Sequence, residues 1–147
     1  MHAGKLMNAF SLALCGSAGN VLTVGLDVVY IPRIEESLHS FAERFEERMF
    51  TLAELSYARA VPAQRAERLA ARFAAKEATI KALSLGDTGV DWREIEVVRN
   101  AADGSCTLSL HGKAAAALAA LGGTRMLVCL SHDGDYAMAV VAVLSDR

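Results

Sequence analysis

The feature that most constrains the fold is a long helix-favouring segment over residues 63–85. Ala, Arg, Glu, Lys and Leu dominate this segment, and these residues have high helix propensity. Pro62 suits the first turn of a helix, and Gly86 is a suitable residue for its C-terminal stop. The pattern therefore predicts one long helix that forms the centre of the fold.

Apolar, β-branched segments on both sides of this helix predict strands. The first strand covers residues 21–31 and is predicted to be buried. Two hairpins follow the long helix, over 92–99 with 105–110 and over 124–130 with 136–144. Shorter helices are predicted over 32–49, 51–60 and 113–121, the second with a Thr51–Glu54 capping box. No repeat or linker divides the chain, so we expect a single α+β domain with an antiparallel sheet packed on the long helix and the shorter helices.

The composition is typical of a compact globular protein. The chain has 147 residues, of which 53% are hydrophobic and 22% charged, and its formal net charge is -2. This charge provides no bulk attraction to nucleic acid, and no apolar run reaches the roughly 20 residues that a membrane-spanning helix needs. Cys15, Cys106 and Cys129 lack the spacing of a zinc or redox site. We therefore expect buried reduced thiols and a cytoplasmic protein that binds neither nucleic acid nor membrane.

The first 20 residues form a separate region. Lys5 followed by the apolar stretch 6–14 is similar to a short signal peptide. However, Leu14 precedes Cys15, where a lipoprotein cleavage site requires a small residue. We predict an N-terminal extension or leader over residues 1–20 and the folded domain over residues 21–147, with a secreted or lipid-anchored domain as the alternative.

Two carboxylates occupy positions where the pattern is otherwise apolar. On the long helix, Glu77 lies on the same side as Phe73 and Ile80. Asp27 lies inside the first strand, and both faces of that strand are apolar. Because an unpaired buried carboxylate is costly, each group should be protonated, paired with a base or bound to a metal ion.

The two carboxylates have different simplest interpretations. For Glu77, the pattern slightly favours an ion pair with Lys81 or Lys76. For Asp27, a ligand or catalytic role is favoured, because the residues after it do not form a turn. Two carboxylates brought together repel each other unless a hard cation lies between them, and Mg2+ binds through one or two carboxylates together with substrate phosphates. Asp27 and Glu77 suit such a site.

Three segments carry polar residues among apolar ones: VGLDVVYIPRI at 24–34, RFAAKEATIKAL at 72–83 and CLSHDGDYAMAVV at 129–141. Together they resemble the holo-acyl-carrier-protein synthase (AcpS-type) family of 4'-phosphopantetheinyl transferases. They stand in the family's order and at family-like separations, and the resemblance covers residues 21–144. It implies a single phosphopantetheinyl transferase-type domain. It also implies an enzyme that transfers 4'-phosphopantetheine from coenzyme A to a serine of an apo acyl or peptidyl carrier protein, with release of adenosine 3',5'-bisphosphate.

The resemblance implies roles for individual residues. Asp27 and Glu77 match metal-binding carboxylates, with Mg2+ as the implied cofactor. Lys81 matches the lysine that attends the phosphates and the leaving group, so Glu77 and Lys81 are the expected catalytic residues. Arg33 matches an arginine of carrier docking. The expected coenzyme A-binding residues are Arg72, Lys81, Gly86 and His132. The general base stays open among Glu77, Asp27 and a metal-bound water.

Two positions depart from the family pattern. Ser84 stands where the family has the first glycine of a loop after the helix, and residues 104–106 lack the base and proline of the family's hairpin turn. Small members of the family are typically trimers with active sites between subunits, so the resemblance implies a homotrimer. The alternative class is a binding module that keeps the fold and the affinity for coenzyme A without transfer; the presence of Asp27, Glu77 and Lys81 argues against it.

Overall fold

The computed structural model describes residues 19–146, so the predicted extension up to residue 18 and Cys15 lie outside the described residues. The α-helices are α1 (Ile31–Met49), α2 (Leu52–Arg59), α3 (Arg65–Ala82) and α4 (Gly112–Ala120). The strands are β1 (Asn20–Tyr30), β2 (Ile95–Arg99), β3 (Cys106–Leu110), β4 (Arg125–Asp133) and β5 (Tyr136–Ser145). Two 3-10 turns cover Pro62–Gln64 and Trp92–Glu94. Within residues 19–146, no helix combines the length and the apolar character that a membrane crossing requires.

The strands form two antiparallel groups. A three-stranded sheet has the order β1-β5-β4, and β2 pairs with β3 in a separate hairpin. Helix α3 packs across β1 and β5 and also contacts β2. The α+β class and both predicted hairpins are thus confirmed. Cys129 is buried and Cys106 is half-buried.

The long helix is shorter at both ends than the sequence predicts. Residues 62–64 form a 3-10 turn, and α3 ends at Ala82 rather than near residue 85. The helix stops because Ser84 adopts a left-handed φ of 54°. The amide of Leu85 then donates to the carbonyl of Ile80 at 2.9 Å, which is the hydrogen bond of a Schellman C-cap. Ser84, not Gly86, therefore supplies the stop.

Gly25 allows β1 and α3 to approach each other closely. A Cβ atom at this position would lie 1.9 Å from the carbonyl oxygen of Ala78 on α3. Since no side chain fits there, only glycine permits this contact between strand and helix. Asp27 lies two residues farther along the same face of β1, so the contact brings Asp27 towards the helix that carries Glu77 and Lys81.

One face of β1 is exposed, contrary to the prediction of a fully buried strand. Gly25 and Val29 are buried against α3, whereas Val24, Leu26 and Val28 on the other face are 57%, 58% and 55% exposed. The prediction fails because no helix or strand of residues 19–146 covers this face of β1. The sequence of an all-apolar strand indicates that both of its faces pack against something. It does not show whether the second face packs against the same chain or against another one.

Helices α1 and α2 follow β1 directly. Ala42 has a φ of 40° and kinks α1, which the sequence pattern predicts as continuous. Beyond the kink, Glu46 is buried and pairs with Arg59 and Arg65. The predicted capping box opens α2: Glu54 N donates to Thr51 Oγ1 at 3.3 Å, and Thr51 N donates to Glu54 Oε1 at 2.9 Å.

Candidate active site

The first part of the site is an ion pair between β1 and α3. Lys81 Nζ donates to Asp27 Oδ1 at 2.8 Å and to the carbonyl oxygen of Leu26 at 3.0 Å. The Asp27 side chain is 16% exposed and that of Lys81 54% exposed. The hydrogen bond from Lys81 to Asp27 raises the pKa of Lys81, which keeps the ammonium charged. The pair therefore lies at the edge of the sheet, where a substrate can reach it.

Glu77 lies one helical turn before Lys81 and is half-buried. Burial raises the pKa of Glu77, the negative charge of Asp27 raises it further, and Lys81 partly opposes both effects. The two predicted carboxylates are therefore close enough to repel each other. The predicted ion pair of Glu77 with Lys81 or Lys76 is absent among residues 19–146, because Lys81 pairs with Asp27 and Lys76 with Glu54.

Glu77 opens into a cleft of about 540 Å³. Its other walls come from the end of α1 and from the segment between α3 and β2, with Arg48, Gly86, Asp91, Trp92 and Arg93 among the lining residues. Gly86, one of the predicted coenzyme A-binding residues, thus lines the same cleft as Glu77. The sequence analysis missed Arg48 and Arg93, which line this cleft; the guanidinium group of Arg93 pairs with Asp91.

A second cavity of about 210 Å³ lies farther towards the start of α3. Arginines from three positions surround one tyrosine ring in its wall. The guanidinium carbons of Arg68 and Arg72 each lie 4.1 Å from the centroid of the Tyr57 ring, and that of Arg99 lies 5.3 Å away. Such contacts between guanidinium groups and an aromatic ring are cation–π interactions. The cavity therefore carries a concentrated positive charge.

Arg72 and His132, two predicted nucleotide-site residues, both line this second cavity. Arg72 is only 4% exposed, and its Nε has no hydrogen-bond partner among the described residues. Burial lowers the pKa of Arg72. His132 Nε2 lies 3.2 Å from Glu67 Oε1 on α3. A buried polar atom without a hydrogen-bond partner is unusual in a folded protein, and this one belongs to a residue that lines the cavity.

The pair of carboxylates suits a divalent cation. Across residues 19–146, no three His, Cys, Asp or Glu side chains converge into a complete protein-only metal site. Asp27 and Glu77 could offer carboxylate oxygens to such an ion, and burial together with the negative charge of Asp27 raises the pKa of Glu77. Mg2+ commonly binds through one or two carboxylates plus waters and substrate phosphates, so an incomplete protein set fits this ion.

Comparison with known proteins identifies the superfamily of the chain. The family model of the 4'-phosphopantetheinyl transferase superfamily matches residues 23–141. The chain belongs to this superfamily. Two relatives, both called holo-[acyl-carrier-protein] synthase, come from Gloeobacter violaceus and Koribacter versatilis. The first is 45% identical over 82% of this chain and 91% of the relative, and the second 44% identical over 86% and 99%.

Solved structures of the same transferase superfamily have the same fold. The ACPS-CoA complex of Chronobacterium ammoniagenes is 37% identical with a TM-score of 0.74, over 85% of this chain and 98% of that one. Helicobacter pylori holo-[acyl-carrier-protein] synthase in complex with coenzyme A is 26% identical with a TM-score of 0.70, over 82% and 98%. The chain is therefore an enzyme of the phosphopantetheinyl transferase type with a single domain of this fold.

The remaining predicted site residue of this transferase, Arg33, lies apart from both cavities. It is exposed in the first turn of α1 and makes no hydrogen bond or ion pair with any residue in 19–146.

Tyr57, Arg68 and Arg99 were not predicted as site residues. Arg68 and Arg72 have i, i+4 spacing and therefore lie on one face of the helix. This spacing is visible in the sequence and indicates that the two arginines act together. Tyr57 and Arg99 come from other elements, and only the fold brings them together.

Proposed function

We propose that this protein transfers 4'-phosphopantetheine from coenzyme A to a serine of an apo acyl carrier protein or related carrier, and releases adenosine 3',5'-bisphosphate. The observation that carries the proposal is the group formed by Asp27, Glu77 and Lys81 at the edge between β1 and α3. A pyrophosphate substrate needs these groups: two carboxylates hold a hard cation, and one ammonium contacts the phosphate oxygens.

Asp27 and Glu77 would hold Mg2+, as their carboxylate oxygens suit the ion. When bound, the cation supplies positive charge that offsets the negative charge of the pyrophosphate during transfer. Glu77 also has a raised pKa, because of burial and the charge of Asp27. The proton that leaves the carrier serine would pass to Glu77, Asp27 or a water molecule.

Lys81 acts on the leaving group. The serine oxygen forms a bond to the phosphorus on the pantetheine side, and the bond from that phosphorus to the bridging oxygen breaks. Adenosine 3',5'-bisphosphate leaves with the bonding electrons, so negative charge develops on its phosphate. Lys81, whose ammonium is partly exposed beside Asp27, stabilises this charge more strongly as it develops.

The adenosine end of coenzyme A occupies the cavity lined by Tyr57, Arg68, Arg72, Arg99 and His132. Three guanidinium groups around this cavity provide the charge that phosphates require, and Arg72 Nε still needs an acceptor. Lys81 and Gly86 complete the donor site at the other end, next to the reacting phosphates. The donor then spans from the Tyr57 cavity to Glu77 along α3.

The carrier protein docks on the first turn of α1 through Arg33. This arginine is exposed and unpaired within residues 19–146. Its charge is thus available for an acidic partner, and pairing with carboxylates at a rim favours fast association.

Three copies of the chain form the working enzyme. The exposed apolar face of β1, with Val24, Leu26 and Val28, supports this part of the proposal. Exposed apolar patches of this kind typically mark interfaces, and a second copy would cover the strand that the sequence pattern predicts to be buried.

The direct test is incubation with coenzyme A, Mg2+ and a panel of apo carrier proteins, followed by intact-mass measurement of the carriers. We expect one phosphopantetheine group on at least one carrier, an equal amount of adenosine 3',5'-bisphosphate and no reaction when the divalent cation is chelated. Binding of coenzyme A without any modified carrier would contradict the proposal and would support a binding module instead.

A further inference from the structure

A fully buried ion pair lies behind the wall of the Glu77 cleft. Lys76 Nζ on α3 lies 2.8 Å from Glu54 Oε1 on α2, and neither side chain has any exposed surface. The ammonium also donates to the carbonyl oxygens of Trp92 and Ile95, at 3.1 Å and 2.5 Å. All three ammonium protons therefore have acceptors.

Glu54 completes this network. Its Oε1 also accepts a hydrogen bond from Thr51 N at 2.9 Å, and its Oε2 accepts one from Val97 N at 3.0 Å. The carboxylate therefore joins the start of α2 to β2, while Lys76 joins α3 to the segment that leads into β2. One ion pair connects three elements.

The network lies directly beside the proposed reaction site. Glu77 follows Lys76 on α3, and Trp92, whose carbonyl accepts from Lys76, lines the same cleft as Glu77. The Trp92 ring also stacks on Phe73 of α3, with centroids 5.3 Å apart and ring planes at 14°. Lys76 therefore holds this wall of the cleft to the helix that carries Glu77.

Stability alone does not account for the ion pair. Burial lowers the pKa of Lys76, and Glu54 opposes this effect, so the ammonium is kept in an environment that disfavours its charge. Buried ion pairs replaced by apolar residues of similar volume often leave a protein equally or more stable. The hydrogen bonds of Lys76 are directional, and two of their acceptors belong to the segment that forms the cleft wall.

We propose that Lys76 is a positioning residue for the transfer reaction, which fixes Trp92 and the cleft wall relative to Glu77 through its buried pair with Glu54. This inference rests on the proposed function, because it takes Glu77 as part of the reaction site. Lys76 itself touches no substrate, since protein groups enclose its ammonium completely.

The test uses the double variant Lys76→Met/Glu54→Gln, which removes both charges and preserves most of the buried volume. Trp92 is the single tryptophan of the chain, so acrylamide quenching of its fluorescence reports the exposure of the wall. We expect cooperative unfolding, a quenching constant raised about twofold and a kcat lowered about tenfold, because small displacements of reacting groups are costly. KM for the carrier should stay within about twofold, as Arg33 lies on a different element.

Glu46→Gln is the matched control. Glu46 is another buried carboxylate, but it pairs with Arg59 and Arg65 rather than with Lys76. This variant should keep wild-type quenching of Trp92 and wild-type kcat, even where its thermal stability changes. If the Lys76–Glu54 pair had only a structural role, the double variant would also keep wild-type quenching of Trp92 and wild-type kcat.

A folded double variant with either wild-type quenching or wild-type kcat would overturn the inference. Where this variant does not fold, Lys76→Leu/Glu54→Leu replaces it, because it makes the pair fully apolar, and the same two measurements decide. If the wild type modifies no carrier, the proposed function fails, whereas the positioning inference fails when the quenching of Trp92 is unchanged.

Discussion

Lys81 donates a hydrogen bond to Asp27 Oδ1 at 2.8 Å, although Glu77 lies one turn away on the same helix. The ion pair therefore connects α3 to β1 rather than one turn of α3 to the next. Glu77 is left without a basic partner within residues 19–146, and its pKa is raised. This distribution of charge leaves two carboxylates and one ammonium together at the proposed reaction site.

Loss of the Lys81 charge should affect catalysis much more than folding. The ion pair is partly exposed, so Lys81→Met should cost at most about 1 kcal/mol of stability. In contrast, kcat for phosphopantetheine transfer should fall about 100-fold, or roughly 3 kcal/mol, because the leaving phosphate loses its stabilising charge. Thermal melting and single-turnover transfer on the same preparation measure both effects.

Lys113→Met is the matched control for Lys81→Met. Lys113 is also exposed, and its ammonium donates to a backbone carbonyl, that of Thr88, at 2.9 Å. The kcat of the Lys113→Met variant should stay close to the wild-type value. Equal turnover in Lys81→Met and the wild type would remove Lys81 from the reaction site.

Glu77 should make stability depend on pH. Because its pKa is higher in the folded than in the unfolded protein, the folded state keeps a proton that the unfolded state has already lost. Stability therefore falls as the pH rises from the pKa of Glu77 in the unfolded protein to its pKa in the folded protein. Above that pH, the charge of Glu77 lowers the free energy of unfolding by a constant amount. Glu77→Gln removes that cost, so the difference in melting temperature between Glu77→Gln and the wild type should grow in favour of the variant as the pH rises above the ordinary pKa of a glutamate.

Calorimetry in chelator-containing buffer measures this difference between Glu77→Gln and the wild type. Added Mg2+ should then raise the wild-type melting temperature more than that of the variant, since it binds through Glu77. A difference in melting temperature that is constant with pH, or that shrinks towards neutral pH, would contradict the predicted environment of Glu77.

Arg33→Glu should weaken carrier docking specifically. The exposed guanidinium of Arg33 attracts an acidic partner, so reversal of its charge should raise the carrier KM about tenfold or more and make KM less sensitive to salt. The KM for coenzyme A should not change. Initial-rate kinetics at several ionic strengths provide the measurement. Arg125→Glu makes the same change of charge at the start of β4; equal carrier KM values for the two variants would show that Arg33 has no specific role.

Ser84→Gly should stabilise the protein. Ser84 has a φ of 54°, which costs a non-glycine residue about 1 kcal/mol, and glycine adopts this conformation without a Cβ clash. We expect a rise of about 3 °C in melting temperature. Ser56→Gly, in the interior of α2, should instead lower it, because glycine is unfavourable within a helix. A lower melting temperature for Ser84→Gly would show that the serine side chain contributes to the turn.

Local sequence patterns were sufficient to predict most of the elements. The capping box of α2, the helical composition around α3 and the two hairpins depend on neighbouring residues, and the structure contains each of them. The end of α3 was wrong by three residues because Ser84 takes a conformation that the sequence pattern assigns to glycine. The close contact at Gly25 could not be predicted, since it depends on the position of Ala78 in space.

The partners of charged residues were harder to predict than the residues themselves. Asp27 and Glu77 stand out because they interrupt apolar patterns, and the structure brings them close together. Lys81 pairs with Asp27 across 54 residues of sequence, a separation at which spacing carries no signal. The buried pair Lys76–Glu54 was missed for the same reason. An i, i+4 rule finds neighbours on one helix, but it does not exclude a better partner on another element.

The most direct test of the central claim is a time course of one apo carrier protein with coenzyme A and Mg2+, followed by intact mass, for the wild type and Glu77→Gln side by side. We expect the wild type to add one phosphopantetheine group to the carrier, and we expect Glu77→Gln, still folded, to do so about 100-fold more slowly. Equal rates for the two proteins would contradict the assignment of the reaction to Asp27, Glu77 and Lys81.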